Sequence, residues 1–74
     1  MTMTRPLSAL HNFLNKPVII ICKNGKVCTG KMVEVDEYLN IVLEDYQERE
    51  NGPLEKGLLF VRGTNISIIR LEES

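Results

Sequence analysis

The sequence predicts a mainly β domain. One short N-terminal α-helix precedes five strands in a small, strongly bent antiparallel sheet, an open barrel with the helix over one end. Three observations predict this. Only residues 5–15 repeat apolar side chains at helical spacing, while the rest breaks into alternating or wholly apolar runs rich in Val and Ile. The runs are mostly joined by short turns. Finally, 74 residues form one domain, 1–74, with a small core.

Met1 to Thr4 are expected to be loose, with Thr4 as a helix cap. Pro6 fits a first turn, where its missing donor has no partner anyway. Leu7, Leu10, Phe13 and Leu14 then mark a helix over about 5–15, ended by Lys16-Pro17. His11 falls beside the apolar stripe and reads as a boundary residue rather than a ligand. Val18 to Cys22 is β-branched on both faces, a buried strand. Asn24-Gly25 signals a two-residue type I′ hairpin turn. That register would set Lys23 against Lys26 and Cys22 against Val27, with Cys28 on the face opposite Cys22. The second strand runs from Val27 to about Val35. Gly30 inside it marks a bend or a close backbone approach.

After Asp36–Asn40, Leu39, Ile41 and Leu43 alternate with Asn40, Val42 and Glu44, a third strand. Residues 47–55 are polar and read as a loop. Gly57 to Arg62 is a fourth strand, and Gly63-Thr64-Asn65 a tight turn. Ile66 to Leu71 is a fifth strand, followed by a short acidic tail. The last two strands are apolar on both faces, yet a barrel this small has one interior. Their other faces need a cover, which suggests oligomerisation.

Composition narrows the function. No apolar run reaches membrane-spanning length, and the N-terminus lacks the form of a secretory signal, which points to the cytosol or nucleus and away from membranes. Cys22 and Cys28 are too few for a disulfide framework or a zinc site, and read as packing residues in a reducing compartment. Residues 44–55 hold five carboxylates against Arg49, a local net of −4, while the remainder carries eight basic and five acidic residues, a net of +3. Any nucleic-acid contact should therefore be a localised site away from the acidic segment.

The stretch with most chemistry is Asp36-Glu37-Tyr38-Leu39-Asn40, a short turn at the junction of two expected strands. In an extended chain Asp36, Tyr38 and Asn40 would share one side. Tyr38 offers a ring for stacking and Asn40 a planar amide with one acceptor and two donors. Ionised Asp36 only accepts, so it can fix which way that amide points. A ring beside an oriented amide suits an unpaired nucleobase. The plain alternative is a polar turn with Tyr38 as a rim aromatic.

Two segments together resemble a known family. Gly30 to Leu43, with Gly30, Asp36 and Asn40, resembles the first motif of the Sm and Sm-like (LSm) proteins. Phe60-Val61-Arg62-Gly63-Thr64-Asn65-Ile66 to Ile69 resembles the second, with Arg-Gly before an apolar strand. The motifs occupy about 18–46 and 56–71, with the family's variable loop between them at about 47–55. The Arg5-Pro6-Leu7 opening and the lack of an Arg/Gly-rich tail are closest to the archaeal Sm-like proteins. Thr64 departs from the Asp or Asn more usual after Arg-Gly.

The resemblance implies an Sm fold, an SH3-like open barrel. It implies a ring, most often homoheptameric, in which the fourth strand pairs with a neighbour's fifth. It further implies that single-stranded uridine-rich RNA binds at the pore through Asp36, Tyr38, Asn40, Arg62, Gly63 and Thr64, with Tyr38 and Arg62 on the two faces of a base and Asn40 on its edge. The protein would act as a scaffold in RNA processing and ribonucleoprotein assembly, with other RNA-processing proteins as further partners. Its location would be cytoplasmic if archaeal in type, nuclear or cytoplasmic if eukaryotic. A strand-end salt bridge from Arg62 to Asp36 is the structural alternative for Arg62. The competing function is a monomeric SH3-like barrel that binds peptide, although its aromatics are few. An enzyme is not expected: one histidine, no nucleophile–base pair, no metal cluster and no cofactor motif.

Overall fold

The computed structural model describes residues 10–48 and 52–72. Five strands, β1 Pro17–Cys22, β2 Val27–Val35, β3 Ile41–Gln47, β4 Glu55–Val61 and β5 Ile66–Leu71, form one antiparallel sheet. Its order is β4-β3-β2-β1-β5, so β4 and β5 are the edges. The expected five-stranded antiparallel sheet is present.

Alternation buries one face of each central strand. Val18 and Ile20 of β1, Cys28 and Met32 of β2, and Ile41 and Leu43 of β3 meet in one core with Val61. Residues 5–9 of the expected helix, Met1 to Thr4 and the last two tail residues lie outside the described residues. Within them stands a short 3-10 turn, His11–Phe13. Leu10 and Phe13 are buried against the sheet and His11 is exposed, as the apolar spacing predicts. Asn15 donates its N–H to the carbonyl of Met32 (2.6 Å), which ties this segment to β2.

The sheet bends where its register slips. A Cβ on Gly30 would stand 3.2 Å from the Leu43 Cβ and from the Tyr46 Cα, so only glycine lets β3 close this tightly on β2. The β2–β3 register shifts between Thr29 and Lys31, and the β3–β4 register between Glu44 and Tyr46. Asp45, between the last two, takes φ 54°. Such bulges bend a strand and raise its twist. Pairing also runs further than polarity suggested. Tyr46 opposes Glu55, so the strands extend into the polar segment on both sides. On a solvated edge hairpin, ladder hydrogen bonds rather than side-chain hydrophobicity decide where a strand ends.

The first hairpin differs from expectation. Gly25 has positive φ (89°) but Asn24 does not. Gly25 N–H donates to the Cys22 carbonyl and Cys22 N–H to the Lys26 carbonyl, both at 2.8 Å. The turn is therefore a three-residue loop, Lys23 to Gly25, closed by glycine in the left-handed region. The Asn24 Oδ1 accepts from Lys26 N–H (2.9 Å), which holds the asparagine outside that region. The register becomes Ile21 against Val27 and Ile20 against Cys28, not Cys22 against Val27.

One residue of slip turns every side chain over. Cys22 and Cys28 therefore share a face instead of opposing one another, as diagonal neighbours whose thiols interact. Burial, then the neighbouring Cys22, pushes the Cys28 thiol up to about 11. Diagonal partners sit roughly 7–8 Å apart at Cα, beyond the usual disulfide span. Both thiols are free. The purified protein should keep its fully reduced mass without reductant, and iodoacetamide at pH 8 should label Cys22 well before Cys28. Equal labelling rates would contradict the burial of Cys28.

Candidate nucleic-acid interface

The chain between β2 and β3 is a turn, as expected, and it is closed by hydrogen bonds rather than extended. Leu39 N–H donates to the Asp36 carbonyl (3.0 Å) and Asp36 N–H to the Asn40 carbonyl (3.1 Å). The Asp36 carboxylate fills the turn. Its Oδ1 accepts from the backbone N–H of Tyr38 and of Asn40, each at 2.9 Å. Its Oδ2 accepts from the Asn40 side-chain Nδ2 (3.0 Å). The Asn40 backbone N–H, with these other donors, holds the Asp36 carboxyl below the usual carboxylate range.

A second turn completes the arrangement. The Asn40 Oδ1 accepts the backbone N–H of Gly63 at 2.8 Å. Both ends of the amide are now assigned, Nδ2 to a carboxylate and Oδ1 to a peptide N–H. One N–H and one oxygen lone pair of the amide remain unused by these bonds. Asp36 does orient Asn40, as expected.

Gly63 is the point of contact. A Cβ there would overlap the Tyr38 carbonyl oxygen and stand 3.0 Å from that of Leu39. The two turns thus pack backbone against backbone. Gly63→Ala must push them apart and break the bond to Asn40. Its expected cost is about 1–3 kcal/mol of stability, read as a lower denaturant midpoint with unchanged slope. A wild-type midpoint would contradict this packing.

The remaining site residues flank this junction. Tyr38 is 73% exposed. Arg62, extended and exposed, directly follows β4. The one ion pair among the described residues joins Lys31 Nζ to Glu44 Oε1 (3.3 Å), so the salt bridge from Arg62 to Asp36 is not formed. Thr64 is exposed in the 3-10 turn Gly63–Asn65, closed by Asn65 N–H to the Arg62 carbonyl (3.0 Å) and by Ile66 N–H to that of Gly63. Backbone bonds hold this turn, so threonine replaces the usual Asp or Asn without loss of closure.

Sequence reasoning missed Leu39. It takes φ 66°, a region γ-branched residues avoid, while its side chain packs on the core. That anchor turns Tyr38 outward and aims Asn40 at Gly63. Nothing in a leucine's identity signals this conformation. The acidic segment begins at Glu44, midway along β3 and about 13 Å of strand from Asn40, and runs away from it.

The model of the LSM domain matches residues 8–71. The chain belongs to the LSM domain family. An snRNP Sm-like protein of Thermococcus sibiricus is 42% identical over 67 residues, covering 88% of each chain. Among solved structures, a Pyrococcus abyssi Sm protein in complex with a uridine heptamer is 34% identical with a TM-score of 0.80, covering 92% of this chain and 99% of that one. A heptameric archaeal Sm protein is 27% identical with a TM-score of 0.78, covering 89% and 98%. The five strands of this LSM domain are therefore the Sm fold, and both the family resemblance read from the two motifs and the likeness to archaeal Sm-like proteins stand.

Proposed function

We propose that this LSM-domain protein assembles into a homoheptameric ring and binds single-stranded uridine-rich RNA at the pore, one base per subunit. The observation that carries this is the doubly held Asn40 amide, with one donor and one acceptor left beside the exposed Tyr38 and Arg62. Uracil presents an adjacent acceptor and donor that match it. Tyr38 and Arg62 then stack on the base, since a guanidinium is planar as well as charged. Asp36, Gly63 and Thr64 position these groups. The protein serves as a scaffold for RNA processing and ribonucleoprotein assembly, alongside other RNA-processing proteins, and any turnover comes from a partner. Free thiols at Cys22 and Cys28 suit a reducing cytoplasm.

Each site is weak alone, as stacking is worth roughly 1–3 kcal/mol per base. A ring repeats it on one strand, so each further base binds at high effective concentration. Affinity for oligouridine should rise steeply with length and level off once the ring is full. Native mass spectrometry with and without oligouridine reads both stoichiometry and assembly. A monomer at micromolar concentration would remove this reading in favour of the peptide-binding barrel.

The Asp36 turn sets the pH range. Its carboxyl is lowered in the folded protein, so its contribution is present above the ordinary carboxylate value and lost as pH falls through the lowered one. Oligouridine affinity should hold from pH 8 down to about 4 and fall only below. Asp36→Asn should weaken binding across the whole range. A decline beginning near pH 6 would assign the titration to another group.

A further inference from the structure

The three-residue hairpin between β1 and β2 reaches the candidate site. Lys23 N–H donates to the carbonyl of Asn65 at 2.8 Å. Asn65 ends the 3-10 turn that begins at Gly63, and Gly63 N–H is held by Asn40. Three loops from distant parts of the chain are thus joined in a row by backbone or amide bonds. The row reads hairpin tip, Arg-Gly turn, Asp36–Asn40 turn.

The charges along this row are uneven. The Asp36–Asn40 turn carries Asp36 and Glu37, and Arg62 is the single cation on the Arg-Gly turn. If Arg62 stacks on a base, the phosphates of the same strand pass two carboxylates with no cation of their own. The hairpin tip supplies one. Lys23 is exposed and makes no ion pair among the described residues. Lys26, on the same hairpin, instead lines a hollow with Glu48, Pro53 and Glu55, where carboxylates offset it.

We propose that Lys23 forms a phosphate subsite, its ammonium binding the backbone of the RNA strand whose base is held at Tyr38, Asn40 and Arg62. This rests on the RNA-binding reading above. Lysine suits the role as a point charge on a flexible stem, which follows a phosphate without demanding a fixed angle. Its backbone bond to Asn65 fixes the base of that stem independently of the side chain, so the side chain can be changed without releasing the hairpin. The subsite reads no sequence, since phosphate contacts position a strand and base contacts specify it.

The test compares Lys23→Gln, Lys23→Arg and Lys26→Gln with wild type. Ring-filling oligouridine and oligocytidine are titrated by anisotropy across a salt series, with native mass checking assembly. Lys23→Gln should weaken both oligonucleotides by the same factor, about tenfold at low salt, and flatten the plot of log Kd against log salt by about 0.7 for each phosphate no longer neutralised. Lys23→Arg should restore both. Lys26→Gln should change neither.

A methylphosphonate oligouridine, whose backbone is uncharged, should bind wild type and Lys23→Gln equally. If Lys23→Gln keeps the wild-type affinity and salt slope, or discriminates equally on the uncharged backbone, the subsite is wrong. An equal loss in Lys26→Gln would overturn it in favour of a diffuse positive field. The two readings fail separately. Wild type that ignores oligouridine removes the RNA-binding function, whereas wild type that binds it with Lys23→Gln unaltered removes the phosphate subsite alone.

Discussion

Replacing Arg62 with alanine is expected to lower oligouridine affinity by about a hundredfold or more while the ring stays assembled. Arg62 is exposed just past the end of β4 and forms no ion pair among the described residues, so the folded protomer does not depend on its side chain. Exposed substitutions of this kind usually move stability by less than about 0.5 kcal/mol. Binding is another matter. Each subunit loses a stacking plane and a charge, and stacking is worth roughly 1–3 kcal/mol per base. Because 1.4 kcal/mol is about tenfold, losing even the smallest contribution from three bound bases exceeds a hundredfold. Anisotropy with labelled oligouridine measures the loss, and native mass confirms the ring. If Arg62→Ala binds as tightly as wild type, the RNA lies elsewhere.

Much of the fold is legible from residue patterns because it is written in alternation. Val18 and Ile20, or Ile41 and Leu43, sit two apart and point inward together, and their burial follows from the period of an extended strand. Gly30 declares the close approach of β3 by its place alone, since glycine in a strand has few other reasons to be there. The hairpin is less legible. Asn24-Gly25 permits two loop lengths, and the choice comes from the Asn24 side chain, which bonds the Lys26 N–H and so leaves Gly25 alone with positive φ. That single choice sets the faces of Cys22 and Cys28 and carries Lys23 to Asn65.

In the candidate site, the orienting role of Asp36 is readable because ionised carboxylates only accept. Its bond to the backbone of Tyr38 is not, because it requires the turn that Leu39 adopts against its own preference. Nor is the Gly63 bond to Asn40, which joins segments 23 residues apart. Local patterns give residue types and faces. Contacts at long separation depend on how the sheet bends.

Phe60→Glu is expected to dissolve the ring into monomers or small species and, with it, nearly all high-affinity RNA binding. Leu58 and Phe60 lie on β4 with 67% and 60% of their surface exposed in the protomer, and Ile68 on β5 with 45%. These strands are the two opposite edges of the sheet. An apolar edge at each end favours head-to-tail pairing, which closes into a ring when the rotation per subunit allows. Covering each such side chain fully is worth about 1.5–3 kcal/mol. A glutamate in place of Phe60 forfeits that gain and demands that an unpaired carboxylate leave water, a cost of several kcal/mol per interface. In the isolated protomer the same carboxylate sits in solvent, so the β fold should persist by circular dichroism. Affinity for oligouridine should then fall by the factor of about 10²–10⁴ that linkage of sites provides, even though Tyr38, Asn40 and Arg62 are untouched. Light scattering and native mass report the assembly, and anisotropy the affinity. A Phe60→Glu protein that keeps the wild-type mass would show that the subunits do not join through this edge.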